Sequence, residues 1–246
     1  MRYNHLKILQ VGISKVGYFD LLSLFEYSIK GKCQIILTGA NVNTINLAVN
    51  NLRFREVISE FNILHPDGIG VFFASRFLYG KNGFAKRITG SDFYSELIKK
   101  SIENNWSLFF FGDTDETLKR IPKEHPDLRI AGSCNGFNFN LDDLIFQINL
   151  STPDILIVGL GSPKQEEWII GNKNKVRTKV IIAVGDGIKV FAGTKKRGTK
   201  LVRVLGLEWF IRLINEPKRL WKRYLIGIPR FILRVIRFKL TLNKFG

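Results

Sequence analysis

Short apolar runs alternate with longer stretches of helical periodicity along most of the chain. The apolar runs end at or just before a glycine, which predicts buried strands followed by turns, at residues 34–38, 106–111, 127–131, 154–159 and 179–184. The stretches between them have the spacing of helices, at residues 43–61, 91–104, 114–121, 141–149 and 163–172. Repeated strand, turn and helix units predict an α/β fold with a parallel sheet and with ligands at the carboxyl ends of its strands.

The pattern changes in the C-terminal part of the chain. Pro217 and Pro229 each suit the first turn of a helix, which predicts short helices near residues 206–215, 217–228 and 229–242. In the last of these, Arg230, Arg234 and Arg237 recur at helical spacing beside an apolar stripe of Phe231, Val235, Phe238 and Leu242. We therefore divide the chain into a domain of residues 1–195 and a basic, amphipathic helical appendage of residues 196–246.

Charge is concentrated in the same region. The chain has 38 Lys and Arg against 21 Asp and Glu, a net charge of +17. Fifteen of these cations and two of the acids lie between Lys195 and Gly246, so this segment carries +13 and the residues before it +4. Such a segment predicts a polyanionic partner, either nucleic acid or an anionic membrane surface.

The appendage favours the membrane over nucleic acid. A basic helix with aromatic and aliphatic residues at helical spacing lies in a lipid interface, held by apolar burial and by attraction to anionic lipid. A basic nucleic-acid-binding protein remains an alternative, although no zinc finger, helix-turn-helix or RNA-recognition pattern is present in the sequence. A second alternative is a helix that packs on the α/β domain and leaves its basic face in water.

We expect neither a signal peptide nor a membrane-spanning helix. Lys7 and Lys15 interrupt the apolar positions near the N-terminus, and polar residues dilute the longest uncharged stretch, residues 33–52. The prediction is a cytoplasmic or peripheral membrane protein. An apolar content of 45% excludes a disordered chain, and a total of two cysteines excludes a disulfide scaffold.

One glycine-rich turn carries candidate binding residues. Gly159-Leu160-Gly161-Ser162-Pro163-Lys164-Gln165-Glu166 follows a predicted strand and opens a predicted helix. Glycines let the backbone approach a ligand, and free N–H groups at a helix start favour phosphate. Lys164 could add a cation and Gln165 could bond a sugar or a base. The alternative is a purely structural turn with Pro163 at the first helical position.

A second turn carries a candidate catalytic carboxylate. His65-Pro66-Asp67-Gly68-Ile69-Gly70 places Asp67 before a glycine, where Asp is either a simple turn former or a general base exposed in a cleft. Asp113-Thr114-Asp115 imitates the paired acids with which many sugar transferases hold a metal, but its position after a strand favours helix capping. The three histidines have no metal-site spacing, and we expect no metal.

Together these motifs resemble the TagA/WecG/CpsF family of bacterial glycosyltransferases, glycosyltransferase family 26. The resemblance covers nearly the whole chain and rests on four blocks: Asn41–Ala48, Asp67–Gly70 with Arg87–Asp92, Gly159–Glu166, and Gly206–Trp209 with Arg212 and Glu216-Pro217. It implies a Rossmann-like body and an inverting, metal-independent transfer of a sugar from UDP to a polyprenyl-diphosphate-linked saccharide, in the synthesis of cell-surface polysaccharide. The implied sugar is of N-acetylmannosamine type, a hexuronic acid or a related hexose.

The resemblance also implies a place in the cell and a set of partners. The enzyme would lie at the cytoplasmic face of the plasma membrane as a peripheral protein and would need no cofactor besides its UDP-sugar donor. A monomer and a homo-oligomer both remain open. A non-catalytic sugar-nucleotide sensor is the remaining alternative, since it would keep the glycine loops without needing Asp67.

Roles for individual residues follow from the resemblance alone. Asp67 would deprotonate the acceptor hydroxyl, with Thr38 in the catalytic group and Arg87 stabilising the leaving diphosphate. The residues implied in substrate binding are Asn41, Gly68, Gly159, Gly161, Lys164, Gln165, Glu166, Arg212, Arg219 and Arg223. Four positions depart from the family pattern. Thr38 and Asn41 are separated by one extra residue, Lys189 stands where Asp is common, and Arg197-Gly198-Thr199 replaces Arg-Ala-Pro. The arginine spacing after Glu216-Pro217 also has one extra residue, so either Lys222 or Arg223 is the equivalent. Lys189 could change the preference for the sugar or could be surface variation.

Overall fold

The body of the protein is a parallel α/β sheet, as the sequence predicts. The computed structural model describes residues 3–31, 33–195, 202 and 206–245. For residues 243–245 it describes the backbone alone. In this part of the chain, six strands form one sheet in the order β4-β3-β8-β7-β5-β6, all of them parallel. Their bounds are β3 Ile35–Ala40, β4 Ile63–Pro66, β5 Leu108–Gly112, β6 Ile130–Cys134, β7 Ile155–Gly159 and β8 Val180–Ala183.

Helices connect the strands and cover both faces of the sheet. Those of the body are α1 Tyr18–Lys30, α2 Val42–Asn50, α3 Leu52–Ser59, α4 Ile69–Tyr79, α5 Gly90–Glu103, α6 Asp115–Glu124, α7 Leu141–Ser151, α8 Lys164–Asn172 and α9 Ile188–Phe191. The predicted helix over residues 43–61 is two helices. Asn51 separates them because its extended backbone (φ −134°) ends α2, while its side chain accepts a hydrogen bond from the amide of Phe54 and so caps α3.

Strand residues alternate between two hydrophobic cores. Ile155 and Ile157 of β7 pack on one face of the sheet with Leu97 and Phe110, whereas Leu156 and Val158 pack on the other face. All of these side chains are buried. This alternation is the period of two expected of a strand that is covered on both sides, and it explains why the strands read as continuous apolar runs.

The sequence patterns did not reveal three short strands and two helices of the body. An antiparallel hairpin of β1 (His5–Ile8) and β2 (Val11–Ser14) precedes the sheet, and α1, α4 and β4 were not predicted. β1, β2 and β4 have four residues each and, unlike the equally short β8, do not lie in a longer apolar run that ends at a glycine. The hairpin turn also contains no glycine, since Leu9 itself takes the left-handed conformation at φ 57°.

The appendage is helical and packs on the body. Its described helices are α10 Glu208–Asn215, α11 Pro217–Trp221 and α12 Gly227–Phe245, with a π-helical turn over Lys222–Ile226. Pro217 begins α11 as predicted, whereas the predicted boundary at 228/229 is absent because α12 starts at Gly227 and contains Pro229 in its first turn. The predicted domain boundary at 195/196 adjoins residues outside the described part of the chain.

The predicted membrane-facing stripe of the appendage is wrong in part. Phe231 and Val235 are buried in a core shared with α2 and α4, and Phe238 packs against the same core. Arg234 donates hydrogen bonds to Asn46 (2.9 Å) and Asn50 (2.6 Å) of α2. This face of α12 therefore holds the appendage to the body.

A different set of apolar residues on α12 is exposed. Ile232, Leu233, Ile236 and Leu240 are the exposed aliphatic residues of its central turns, next to Leu242 near its end. No helix in the described part of the chain is long and apolar enough to cross a membrane.

Candidate active site

A cavity of about 1040 Å³ lies where the carboxyl ends of the strands meet the appendage. The loops after β3, β4, β7 and β8 supply one wall, as expected for a parallel sheet. Helices α10 to α12 supply the other. Ten of the residues predicted for the site line this cavity: Thr38, Asn41, Asp67, Gly68, Arg87, Gly161, Gln165, Arg212, Arg219 and Arg223.

Asp67 directly follows β4 and is held at both its backbone and its side chain. Its amide donates to the carbonyl of Ala40 (3.0 Å), and its Oδ1 accepts from the amide of Gly90 at the start of α5 (2.9 Å). Gly39 lets the backbone of β3 lie close to the Asp67 side chain, because a Cβ added at Gly39 would lie only 3.3 Å from the Asp67 Cβ. A carboxylate can accept several hydrogen bonds, so this anchoring leaves capacity to take a proton.

Asn41 joins the sheet to the appendage. Its side-chain oxygen caps α2 by accepting from the amides of Asn43 (3.0 Å) and Thr44 (3.1 Å). The same oxygen accepts from the guanidinium of Arg223 at 3.4 Å. The capping bonds fix the Asn41 side chain, which in turn positions Arg223 beside the cavity.

Thr38 and Gln165 are held by a buried carboxylate. Glu166 accepts hydrogen bonds from Thr38 (3.1 Å), Ser162 (2.8 Å) and Gln165 (2.8 Å) on its Oε1. Burial raises the pKa of Glu166, although its hydrogen bonds oppose that shift. Glu166 therefore lies behind the cavity wall and orients the side chains that form it.

Gln165 ties two loops together. Its side-chain oxygen accepts from the amides of Gly161 (3.2 Å) and Gly185 (2.8 Å), and its amide nitrogen donates to Glu166. These bonds bridge the loops that follow β7 and β8. A glutamine used in this way shapes the cavity floor, in addition to any contact it makes with a ligand.

Asp186 was not predicted as a site residue, yet it pairs with several of the basic side chains at the cavity. Its carboxylate accepts a 2.7 Å hydrogen bond from Arg212 and lies 3.7 Å from Arg219 and 3.5 Å from Lys189. Burial raises the pKa of Asp186, but Arg212, Lys195, Lys189 and Arg219 outweigh it, so the pKa lies below its ordinary value. Asp186 thus stays charged and connects the loop after β8 to α10 and α11.

Lys189 does not line the cavity but faces Asp186. Asp186 stands three positions before Lys189 and supplies the carboxylate of this turn. The sequence signal for Asp186 was its place between two glycines, Gly185 and Gly187.

Lys195 and Tyr94 also line the cavity and were not predicted. Burial lowers the pKa of Lys195 to about 8, with Arg212 adding to the shift and Asp186 and Asp67 opposing it. Burial raises the pKa of the Tyr94 phenol, and the charge of Asp67 adds to the effect. No periodicity or motif marks either residue, because their role depends on contacts between distant segments.

Arg87 lies where the body meets the start of the appendage. A Cβ added at Gly206 would lie 3.1 Å from the Nη1 of Arg87. Gly206 also has a φ of +72°, a backbone conformation that residues with a side chain rarely adopt. Arg87 lines the cavity, where a guanidinium can contact an anionic group.

The other three predicted binding residues do not line the cavity. Glu166 is buried behind the wall, Lys164 is exposed on the first turn of α8, and Gly159 is packed between neighbouring loops. An added Cβ on Gly159 would lie 3.1 Å from the Gly185 carbonyl oxygen and from Ile188. Gly159 therefore serves close packing, and Lys164 points to solvent.

The acidic pair at 113 and 115 lies outside the cavity. Thr114 caps α6, while Asp113 accepts from the Thr114 amide (2.8 Å) and the Thr117 hydroxyl (3.0 Å). Asp115 accepts from Asn135 at 2.8 Å. The prediction that these acids cap a helix is therefore wrong in its residues, because Thr114 between them is the capping residue and Asp115 is the first residue of α6. Among the described residues, no group of three or more His, Cys, Asp or Glu is placed to hold a metal ion.

Comparison with known proteins identifies the family of the chain. The family described as "Glycosyl transferase WecG/TagA/CpsF family" matches residues 6–245. The chain is similar to N-acetylglucosaminyldiphosphoundecaprenol N-acetyl-beta-D-mannosaminyltransferase of Staphylococcus aureus strain MRSA252, with 31% identity over 85% of this chain and 83% of the relative. The protein of the same name from strain MW2 is 30% identical over the same shares. The chain therefore belongs to the WecG/TagA/CpsF family and is a glycosyltransferase.

Proposed function

We propose that the protein transfers a sugar of N-acetylmannosamine type from UDP to a polyprenyl-diphosphate-linked saccharide, with inversion at the anomeric carbon and without a metal. The names of the similar proteins support the transferred sugar and the acceptor, since each is named as an N-acetyl-beta-D-mannosaminyltransferase of N-acetylglucosaminyldiphosphoundecaprenol. The product would be an intermediate of a cell-envelope polysaccharide.

The observation that carries the proposal is the placement of the Asp67 carboxylate among several cations in one cavity, while the carboxylate of Asp186 is paired with Arg212, Arg219 and Lys189. Asp67 faces the same space as Arg87, Arg212 and Arg223. A sugar transfer of this kind needs a base for the incoming hydroxyl and positive charge for the departing diphosphate. Both are supplied here by fixed side chains, and guanidinium groups suit phosphate geometry.

In the proposed reaction, Asp67 takes the proton of the acceptor hydroxyl as its oxygen attacks the anomeric carbon from the side opposite to UDP. The bond between that carbon and the β-phosphate oxygen breaks, and its electron pair leaves with UDP. Arg87 and the appendage arginines stabilise the charge that develops on the diphosphate. A single displacement inverts the anomeric configuration.

We also propose that the protein works as a peripheral protein at the cytoplasmic face of the plasma membrane. A lipid-linked acceptor requires contact with a membrane, and the exposed aliphatic residues of α12 lie on a segment with a charge of +13. Apolar burial and attraction to anionic lipid would then act on the same helix.

A substrate panel tests the proposed function. The purified protein is incubated with a series of UDP-sugars and a polyprenyl-diphosphate-linked monosaccharide or disaccharide, and UDP release and glycosylated product are measured with and without a chelator. We expect UDP-N-acetylmannosamine to give product with a new β linkage by NMR, at a rate that the chelator does not change. Absence of product with every donor, or a retained anomeric configuration, would contradict the proposal.

A further inference from the structure

The cavity continues from its basic part into an apolar groove between α4 and α12. Phe73 and Phe77 stand one turn apart on α4, and Ile232 and Ile236 stand one turn apart on α12. All four line the cavity, and all four are strongly exposed, by 59%, 53%, 49% and 42% respectively.

Buried core residues form the floor of this groove. Ala74, Phe231 and Val235 line it, and all three are buried in the core that joins α12 to the body. Lys239 of α12 donates to the carbonyl of Leu78 on α4 at 2.7 Å, which holds the two helices together beside the groove. The four exposed side chains therefore form the two rims of a fixed concave surface.

A flat membrane surface does not explain these four residues. Leu233 and Leu240 are also exposed on α12, by 56% and 59%, but they do not line the cavity. They lie on the outer side of the helix, where a lipid surface could reach them. Ile232 and Ile236 face the opposing rim on α4, so an occupant of the groove must be narrow and apolar.

The groove is continuous with a site for a charged group. Its inner end opens onto Arg223 and Arg87, and Asp67 lies in the same cavity. A ligand that fills the whole space must be an apolar chain that ends in an anionic group bearing a hydroxyl acceptor. A polyprenyl diphosphate carrying a sugar has this order of chemical groups.

We infer that the groove between α4 and α12 binds the isoprenoid units nearest to the diphosphate of the lipid-linked acceptor. This inference rests on the proposed function for the nature of the acceptor. It adds a binding site on the body of the protein, formed in half by α4, which the charged appendage alone would not supply. The enzyme would hold the first part of the lipid in the protein while the rest of the chain remains in the membrane.

The test compares acceptors that differ only in their lipid. A long polyprenyl chain and a single isoprene unit are each linked through diphosphate to the same sugar, and kcat/KM is measured for both in detergent solution. The double variant Phe73→Asn/Phe77→Asn is compared with the matched variant Leu233→Asn/Leu240→Asn on the outer face. Thermal unfolding checks that both variants are folded.

We expect the wild type to favour the long-chain acceptor and the groove variant to lose that preference by roughly tenfold or more, because each large apolar contact contributes about a tenfold change in affinity. The outer-face variant should keep the preference and bind less well to vesicles of anionic lipid. An unchanged preference in the groove variant would overturn the inference.

A second readout does not depend on turnover. A polyprenyl diphosphate with a photoreactive group on an early isoprene unit is crosslinked to the full-length protein, and the labelled peptides are identified by mass spectrometry. Labels on α4 and on the groove side of α12 support the inference even if the wild type transfers sugar to neither acceptor, in which case only the proposed function fails. Labels confined to the outer face around Leu233 and Leu240 overturn it.

Discussion

Asp67 owes its orientation to the backbone amide of Gly90 and to the absence of a side chain at Gly39. These contacts come from three separate segments of the chain, namely β3, the turn after β4 and the start of α5. The sequence places Asp67 in a turn but leaves its role open. The fold resolves its position by directing the carboxylate into a cavity lined with arginines.

Replacing the base tests its role directly. We expect Asp67→Asn to lower the transfer rate by about 10²–10⁴, because an amide cannot accept the proton of the acceptor hydroxyl. UDP affinity, measured by calorimetry, should change little. Asp113→Asn is the matched control, since Asp113 binds Thr114 and Thr117 outside the cavity, and it should keep the wild-type rate. A rate above half of wild type for Asp67→Asn would remove this residue from the mechanism.

Lys195 gives the site a pH dependence. Its pKa of about 8 means that it is charged below that pH and neutral above it, with Arg212, Asp186, Asp67 and Glu208 as its charged surroundings. UDP keeps its own charge above about pH 7. We therefore expect UDP affinity to fall by roughly tenfold between about pH 7 and pH 9, since a hydrogen bond to a charged group contributes on the order of 1.5 kcal/mol.

Lys195→Arg is the control for this effect, because a guanidinium remains charged throughout the range. Calorimetric titration of UDP at several pH values should show a much weaker decline in this variant. An equal decline in wild type and variant would assign the pH dependence to another group.

At the scale of the elements, the carboxyl ends of β5 and β7 approach each other closely. Gly112 has a φ of +141°, and an added Cβ would lie 2.6 Å from the carbonyl carbon and oxygen of Gly159. Backbone atoms cannot move aside cheaply, so Gly112→Ala should lower the free energy of unfolding by more than about 2 kcal/mol.

Gly171 supplies the matched control for Gly112. It lies in α8, and an added Cβ there would meet nothing within 4 Å. Gly171→Ala should raise the free energy of unfolding by up to about 1 kcal/mol, because alanine is a better helix former. Urea denaturation measures both changes, and equal stability of the two variants would refute the close-packing argument.

Asp186 links the loop after β8 to the appendage helices. Asp186→Asn removes the charge that pairs with Arg212, Arg219 and Lys189, and we expect it to raise the KM for the UDP-sugar by about tenfold or more, since the partly buried Arg212 loses a charged partner. Asp186→Glu should recover part of the loss. A structural role alone would lower stability and leave the KM unchanged, so thermal unfolding and kinetics are measured together.

The strands were predictable and the appendage packing was not. Parallel strands buried on both faces produce apolar runs next to a glycine, which is the signal of β3, β5, β7 and β8. The fifth predicted strand, residues 127–131, overlaps the half-exposed edge strand β6 by two residues. In α12 the apolar spacing correctly indicates a helix but does not say which partner covers its stripe. Phe231 and Val235 pack on α2 and α4, a contact between segments far apart in the chain, which periodicity cannot reveal.

Contacts between distant segments also limited the prediction of the site. Asp67, Asn41 and Gln165 belong to local motifs, whereas Asp186, Lys195 and Tyr94 enter the cavity through the way the loops and the appendage meet. The motif residues Gly159 and Glu166 shape the cavity without lining it, because a sequence motif records packing as well as ligand contact.

At the scale of the whole molecule, the uneven charge predicts how the protein meets a membrane. Arg234 is bound to α2 and Arg230 lines the cavity, so Arg237 and Lys218 are the exposed cations that test the surface alone. We expect Lys218→Glu/Arg237→Glu to weaken binding to anionic vesicles by at least about tenfold in a sedimentation assay, since each cation near such a surface contributes about 1 kcal/mol.

Lys119→Glu on α6 is the matched control for surface charge and should bind vesicles like the wild type. These point variants are more informative than truncation of the appendage. Removal of α12 would uncover the core that Phe231 and Val235 complete, so a loss of binding could then reflect a loss of folding. Vesicle binding that resists the charge reversal would show that the apolar residues of α12 suffice.

The attachment of α12 to α2 through Arg234 has a consequence for the acceptor's size. The helix that carries Leu233 and Leu240 is fixed to the body that carries Asp67. If these leucines rest on lipid, the base stands at a constant height above the headgroups. A glycan of one or two sugars would then present its hydroxyl within reach of Asp67, while the growing end of a long glycan would stand farther from the membrane. The enzyme would then select acceptors by the length of their glycan, extending newly started chains and not finished polymers.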